Sequence, residues 1–233
     1  MSLDESKNSY IFFSKEEENR NAVYCDSLTP MVKSALIKIW KVRPYPLKNI
    51  IVYRDGANDK QMKAIQKIEL PQFLSGVHNA IEEIQSTPPG KYDMKKAFFE
   101  DIKVCFIVAN KGNEIKFFKK SENQQIVNIP VGTLIDTVIT QNSNSSQDFH
   151  LSSAYCRQGT SVVTHYTKIY DDTPLTANEI YKLTYELTYL NYNTTKSIKI
   201  PAPLYFVNRR NNFTKDCELG TIQNDLKLFN ISL

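Results

Sequence analysis

Two side chains that can bind metal ions lie in separate apolar, β-branched segments of this sequence. Asp55 follows residues 50–54, which read Ile-Ile-Val-Tyr-Arg, and it precedes Gly56. His165 lies inside a second such run, residues 161–170. Carboxylate and imidazole groups are common metal ligands, so the two could share a site if their strands were neighbours. Taken singly, Asp55 fits a turn after a strand and His165 fits a core position.

The apolar runs predict the strands that would position these side chains. Gly56 marks where pairing ends, so Asp55 is placed at the carboxyl end of a strand, where open α/β sheets bind ligands. Strands are predicted at residues 9–13, 50–55, 101–108, 133–140 and 161–170. Helices are predicted from the spacing of apolar residues through 31–39, 62–68, 73–84 and 177–189. Thr176 and Glu179 have the spacing of a capping box at the start of the last helix.

Length and composition indicate one soluble α/β domain. The 233 residues are 41% hydrophobic, which is enough for a sizeable core over residues 1–233. No stretch reaches the roughly 20 apolar residues needed to cross a bilayer, and the start lacks the apolar segment of a signal peptide. The four cysteines lack the paired spacing of a zinc site, which favours reduced thiols inside a cell. We therefore expect a protein of the cytoplasm or nucleus that is not secreted and has no membrane partner.

Basic residues are concentrated in two segments. The formal net charge of +4 is too small to identify a partner, so the distribution of charge matters more. The first segment contains Lys111, Lys116, Lys119 and Lys120, and the second contains Lys196, Lys199, Arg209, Arg210 and Lys215. Tyr192, Tyr205 and Phe206 lie among the second group. This mixture suits phosphate contacts and base stacking, and the alternative is a solvated rim around an apolar Pro-Ala-Pro turn.

Four short motifs occur in one fixed order along the chain. They are Tyr53-Arg54-Asp55-Gly56, Arg157-Gln158-Gly159-Thr160, Thr164-His165-Tyr166 and Ile200-Pro201-Ala202-Pro203. This series resembles the PIWI domain of the Argonaute/Piwi family, and the resemblance covers nearly the whole chain. Arg157 and the segment 190–193 resemble the Piwi branch more than the Argonaute branch. The resemblance implies an RNase H-like α/β fold, a mixed sheet flanked by helices, in which this chain lacks the first strand of the domain.

The resemblance also implies a four-ligand site that binds divalent cations, expected to be Mg²⁺, for phosphodiester cleavage. By matching motifs, Asp55 is the third ligand and His165 the fourth. The first ligand, an aspartate, falls upstream of the segment that the start of this chain resembles. The second, a glutamate, falls at about Val23, where Glu18 is the best replacement unless it is a solvated loop charge. Because the implied site is incomplete, we expect this chain by itself not to cleave RNA.

For guide binding, the resemblance implies contacts to the sugar-phosphate backbone of a small RNA. The residues carried over are Lys111, Gln158, Thr160, Lys196, Lys199, Tyr205 and Lys215. The implied partners are a guide RNA, a complementary target RNA, and the MID and PAZ domains of a longer chain. Three hypotheses stay open: a small-RNA-guided binding module, a metal-dependent guide-directed endoribonuclease in the longer protein, and an α/β domain that makes protein contacts alone.

Overall fold

A computed structural model describes residues 8–10, 25, 27–42, 46–57, 59–88, 96, 99–112, 114–140, 147–216 and 229–231. The strands are β1 Asn8–Tyr10, β2 Asn49–Asp55, β3 Lys103–Asn110, β4 Phe118–Lys120, β5 Ile126–Asn128, β6 Thr133–Ile135, β7 Gln147–Ser152, β8 Thr164–Asp171 and β9 Phe229–Ile231. The helices are α1 Leu28–Val42, α2 Asp59–Ala64, α3 Leu70–Ser86, α4 Ala177–Glu186 and α5 Ala202–Asp216. A π-helical turn, Ile65–Glu69, joins α2 to α3, and a 3₁₀ turn, Leu187–Tyr189, follows α4. No helix within these ranges is long and apolar enough to cross a membrane.

The chain forms two compact units. The first unit consists of residues 1–46, 67–100 and 209–233, and the second consists of residues 47–66 and 101–208. The first unit contains α1, α3 and the antiparallel pair of β1 with β9. The second unit contains the main sheet and α4. The single domain expected over residues 1–233 stays a prediction.

Five strands of the second unit form one mixed sheet in the order β2-β3-β8-β7-β6. β2 pairs with β3 in parallel, from Asn49 opposite Lys103 to Asp55 opposite Ala109. The other neighbouring pairs of this sheet are antiparallel. The six inner residues of β3 are all buried, as its continuous apolar run predicts. It follows that β2, β3 and β7 run in the same direction and end at the same end of the sheet.

One face of this sheet carries the core that α4 and α5 cover. Alternate residues of β3 contribute Cys105, Ile107 and Ala109 to a buried cluster that also contains Ile180 of α4 and Leu204 of α5. Aromatic rings fill the centre of the cluster. Phe149 of β7 stacks on Tyr166 of β8 with ring centroids 4.9 Å apart, and Tyr181 of α4 lies 4.6 Å from Phe149. The face is thus set by the period-two alternation of side chains along three strands.

The start of α4 is the predicted capping box. The Thr176 hydroxyl accepts a hydrogen bond from the Glu179 backbone N–H at 3.4 Å, and the Glu179 carboxylate accepts one from the Thr176 N–H at 2.8 Å. These two bonds satisfy backbone donors that have no partner within the helix. The apolar face that follows packs on the sheet, where Thr184 hydrogen-bonds the Tyr53 hydroxyl at 2.9 Å. The predicted helix over 177–189 is confirmed, its last three residues being the 3₁₀ turn.

In the first unit, α1 and α3 pack closely at Gly76. A Cβ atom at this position would lie 2.8 Å from both the Thr29 carbonyl oxygen and the Val32 Cβ. The Thr29 hydroxyl donates to the Gln72 carbonyl at 3.0 Å, and the Gln72 side chain accepts from the Leu28 N–H at 3.1 Å. The polar bonds and the missing side chain therefore bring the two helices together at the same place.

Three sequence predictions differ from the structure. The strand predicted over 133–140 ends at Ile135, because Val138 has a positive φ of 69° and the Ile139 N–H donates back to the Thr137 carbonyl at 2.8 Å, which closes a turn. The early strand pairs with β9 and is not part of the five-stranded sheet. The Pro-Ala-Pro segment is not only a turn, since it opens α5, where proline is accepted in the first helical turn.

We predict that Gly76→Ala destabilises the protein by about 1 to 3 kcal/mol, because the new methyl group has no space between α3 and the Thr29 carbonyl. Helix propensity alone would favour alanine by up to about 1 kcal/mol, so the sign of the change reports the packing. Urea unfolding measures the effect. Ser75→Ala, at the exposed neighbouring position, is the control and should stay within about 0.5 kcal/mol of wild type. A more stable Gly76→Ala variant would show that the helices are not in close contact.

Candidate functional site

Asp55 ends β2 at the edge of the sheet, beside a lysine. Its Oδ2 atom lies 2.8 Å from the Nζ atom of Lys111, and the two side chains are 27% and 41% exposed. Its Oδ1 atom is buried and accepts no hydrogen bond from any residue that the structure describes. The Gly56 N–H donates to the Ala109 carbonyl at 2.7 Å and so continues the β2–β3 pairing past the carboxylate. The predicted position of Asp55, at the carboxyl end of a strand, is confirmed.

The structure does not bring His165 to the same face as Asp55. Asp55 is opposite Ala109, which faces the core under α4, whereas His165 is opposite Asn110, the next residue of β3. Neighbouring residues of a strand point to opposite faces, so Asp55 and His165 lie on opposite faces, with β3 between their strands. The register argues against a site shared by these two residues, and that site stays a prediction. The sequence showed that both residues belong to strands, but the pairing register decides the face.

His165 instead belongs to a group of side chains on the other face of the sheet, where it is half-buried. Its ring stacks on that of His150, with centroids 4.4 Å apart and an angle of 13° between the planes. Its Nε2 atom lies 3.4 Å from the Asp148 Oδ2 atom. His150 is only 2% exposed, and neither of its ring nitrogens has a hydrogen-bond partner among the described residues. Burial, aided by His165 and opposed by Asp148, lowers the pKa of His150 to about 4.

Lysines of the second basic segment meet a loop that lies more than thirty residues earlier in the chain. The Lys196 Nζ atom lies 5.4 Å from the centroid of the Tyr155 ring, a cation–π contact. The backbone carbonyl of Lys199 accepts hydrogen bonds from two buried hydroxyls, Ser153 at 3.0 Å and Thr164 at 2.8 Å. Both lysine side chains are exposed while the Lys199 backbone is held in place. We call Tyr155, Gln158, Thr160, Lys196 and Lys199 the basic surface.

The loop of the basic surface is held by one amide side chain. Asn128, at the end of β5, donates to the Gly159 carbonyl at 2.8 Å and accepts from the Ser161 N–H at 3.0 Å. Gly159 has a φ of +83°, a conformation that residues with a Cβ rarely adopt. Gln158 and Thr160, on either side, are exposed. The structure therefore brings these two predicted residues to the same surface as the two lysines.

The remaining predicted residues differ in their surroundings. Tyr205 is half-buried and packs against the core, with its ring edge-on to Phe206 at 5.8 Å. Lys215 lies within α5, but its side chain is outside the described residues, and so is the whole of Glu18. Sequence reasoning missed Tyr155, which is 65% exposed. Its position just before the Arg157-Gln158-Gly159-Thr160 motif was the available signal.

The basic surface lies at the same end of the sheet as Asp55. β8 runs antiparallel to β3, so its first residues are level with the ends of β2 and β3. Asp55 is level with Tyr166, and Thr164, which holds the Lys199 carbonyl, lies two residues beyond on the same face. This end of the sheet thus combines an ion pair, three lysines and exposed aromatic and polar side chains.

Comparison with known proteins gives the family. A family model described as "Piwi domain" matches residues 1–213. This chain belongs to the Piwi domain family. Among solved structures it is similar to Drosophila Piwi, with 26% identity and a TM-score of 0.65 over 81% of this chain and 23% of that chain. It is also similar to the C-terminal lobe of a budding yeast Argonaute, with 22% identity and a TM-score of 0.62 over 89% of this chain and 42% of that chain.

A third structure, of Kluyveromyces polysporus Argonaute with a guide RNA, matches with 23% identity and a TM-score of 0.65 over 82% of this chain and 22% of that chain. The two Argonaute structures support the fold alone. The resemblance inferred from the motifs and the RNase H-like fold class are confirmed. This Piwi domain chain spans less than half the length of each of these relatives, so their activities as whole proteins do not transfer to it by comparison.

The described residues of this Piwi domain do not fit the divalent cations that the family's RNase H-like fold implies. Mg²⁺ requires near-octahedral oxygen coordination, and cleavage of this type uses two cations held by shared acidic ligands. Asp55 is one carboxylate with one oxygen taken by Lys111, and His165 is on the opposite face. No group of three or more His, Cys, Asp or Glu side chains suited to a metal ion occurs in the described part of the chain.

We predict that His150 makes the stability of the fold depend on pH. Its pKa of about 4 in the folded state lies below the ordinary value of 6.5, so the unfolded chain binds the proton first as the pH falls. The contribution of neutral His150 to the free energy of unfolding is therefore fully present above about pH 6.5 and is lost as the pH falls towards 4. The loss amounts to at most about 3 kcal/mol. His150→Phe keeps the ring contacts and removes two nitrogens without partners in the described chain, so it should flatten this part of the profile.

The measurement is urea unfolding between pH 4 and 7, in which the difference between wild type and variant isolates His150 from the carboxylates that titrate in the same range. His78→Phe is the matched control, since His78 is exposed and its Nε2 atom lies 3.2 Å from the Glu82 carboxylate on the same helix. That control should keep the wild-type profile. An unchanged profile in His150→Phe would mean that this imidazole is not buried in its neutral form.

Proposed function

We propose that this chain is a small-RNA-guided nucleic-acid-binding domain that holds the backbone of a guide strand at the basic surface. The observation that carries the proposal is the convergence of exposed lysines, an exposed tyrosine and polar loop residues at one end of a Piwi-family sheet. Ammonium groups neutralise phosphates, and such contacts position a strand without reading its bases. Sequence specificity then comes from pairing between guide and target.

Preorganisation supports this role for the basic surface. The loop at Gly159 is fixed by Asn128, and the Lys199 backbone is fixed by Ser153 and Thr164. When an RNA strand binds here, two lysine side chains lose conformational freedom, whereas the backbone that carries them is already fixed. Ordering each flexible side chain costs about 0.5 to 1.5 kcal/mol, so a fixed backbone leaves more of the phosphate attraction as affinity.

The proposed partners are a guide small RNA, a complementary target RNA, and the MID and PAZ domains of a longer protein. Kluyveromyces polysporus Argonaute, which shares the fold, was solved with a guide RNA. Tyr205 is half-buried against the core, so its hydroxyl rather than its ring face is the group we propose for a backbone contact. Lys215 is proposed as a further backbone contact on the resemblance alone.

Guide-directed cleavage in a longer protein is the second candidate function. The observation that favours it is the Oδ1 atom of Asp55, at the carboxyl end of β2. This carboxylate oxygen is buried and accepts no hydrogen bond from the described residues. A carboxylate in this place can serve as one ligand of a cation. The ion pair with Lys111 and the position of His165 argue against cleavage by this chain alone.

We predict that Lys196→Ala with Lys199→Ala weakens binding of single-stranded RNA and flattens its salt dependence. Each phosphate contact contributes about 0.7 to the slope of log affinity against log salt for single strands, so the slope should become shallower by about 1.4. Fluorescence anisotropy with labelled RNAs of unrelated sequence is the measurement. All of the sequences should lose affinity equally, because phosphate contacts carry no sequence information.

The matched control is Lys63→Ala with Lys67→Ala, which removes the same charge from two exposed helical positions. Its slope and affinity should remain close to wild type. If both double variants lose equal affinity, the attraction is a property of net charge alone. If neither changes, the basic surface does not bind RNA.

A cleavage assay separates the two candidate functions. We predict that this chain with guide, labelled complementary RNA and Mg²⁺ gives no cut at a fixed distance from the guide end. Cleavage needs several metal ligands, and the described residues contain no group of three or more His, Cys, Asp or Glu side chains that could hold a metal ion. Asp55→Ala is the control for any product that forms. A guide-directed product that disappears in Asp55→Ala would establish the nuclease and contradict the binding-only account.

A further inference from the structure

The Asp55–Lys111 ion pair is built into the backbone that carries it. Lys111 directly follows β3, where the Asn110 side chain accepts from the Gly112 N–H at 2.9 Å and donates to the Ala57 carbonyl at 3.3 Å. This amide therefore joins the turn after Lys111 to the segment just after Asp55. The backbone of Lys111 is thereby held beside the segment that carries the carboxylate, and its Nζ atom lies 2.8 Å from Oδ2.

The Lys111 ammonium is suited to a second contact. An ammonium group has three N–H donors, and the Asp55 carboxylate oxygen uses one of them. The Lys111 side chain is 41% exposed, so its head group reaches solvent beside the carboxylate. A phosphate oxygen can therefore approach the ammonium while the ion pair stays intact.

A divalent cation at a carboxylate has two electrostatic effects on a nucleic acid. It neutralises the acid, which would otherwise repel the strand, and it bridges to a phosphate oxygen. The Lys111 ammonium, as a point charge between Asp55 and solvent, has the same two effects without an added ion. A cation that bound Oδ1 would be repelled by the Lys111 ammonium on Oδ2, and it would still need further ligands, which the described residues of this site do not offer.

From this geometry we propose that Lys111 takes the charge-neutralising and phosphate-bridging place that a divalent cation would take at Asp55. Phosphate binding at this edge of the sheet is then independent of Mg²⁺. The inference rests on the proposed function for its RNA arm, and it assigns Lys111 a role beyond a general backbone contact. Whether Lys111 keeps a divalent cation from Asp55 can also be measured without RNA.

The first experiment uses Mn²⁺ as the probe and no RNA. In wild type, sub-millimolar Mn²⁺ should not selectively broaden the amide NMR signals of Asp55, Gly56 and Lys111. Lys111→Met, which keeps length and removes charge, should make these signals broaden, and adding Asp55→Asn should abolish the effect. Selective broadening of these signals in wild type that Asp55→Asn removes would overturn the proposal. The proposal would also be overturned if Mn²⁺ did not broaden these signals in Lys111→Met.

The second experiment measures the affinity for single-stranded RNA in Mg²⁺ and in EDTA at matched ionic strength. The affinities of wild type in the two conditions should agree within about twofold. Lys111→Met should bind about fivefold more weakly in EDTA and recover part of the loss in Mg²⁺, and Lys111→Met with Asp55→Asn should not recover. Lys63→Met is the control and should match wild type. Wild-type binding that requires Mg²⁺ would overturn the proposal, whereas no RNA binding by any variant would overturn the proposed function and leave the Mn²⁺ experiment to decide.

Discussion

The hydrogen-bonded register of β2, β3 and β8 is the constraint on which the functional end of this molecule depends. Side chains alternate between faces with a period of two, so one residue of register determines whether a group faces α4 or the opposite side. Asp55 opposite Ala109 is on the face of the core, and His165 opposite Asn110 is not. The same register places Thr164 where its hydroxyl holds the Lys199 carbonyl. The ion pair, the basic surface and the stacked histidines all follow from it.

Short polar bonds to backbone groups turn this register into a fixed surface. Ser153, Thr164 and Asn128 each bind backbone atoms of loops that are distant in sequence. Buried hydroxyl and amide groups require partners, and here the loops provide them. The loops are thereby positioned without long secondary structure of their own. Exposed lysine side chains on such backbone are well suited to a polyanion, since the attraction acts at a defined place.

Much of the fold could be predicted from the sequence because its signals are local. The run of residues 49–55, the apolar period of α1 and the Thr176–Glu179 capping box each specify their element within a few residues. The 133–140 segment was mispredicted because alternation of apolar residues does not reveal a turn with a positive φ at Val138. The faces on which Asp55 and His165 lie could not be predicted, for a different reason. Register and face depend on pairing between strands that are far apart in the sequence, and motif order does not contain that information.

Hydrogen exchange with and without a short single-stranded RNA, read by mass spectrometry, tests the central claim most directly. The account predicts protection of the loop around Gln158 and Thr160 and of the segment around Lys196 and Lys199. It predicts no change in α1 or α3, or in the strand segment around His150. Protection confined to α1 and α3, or to the face with the stacked histidines, would contradict the account. Either result would place the nucleic acid away from the basic surface.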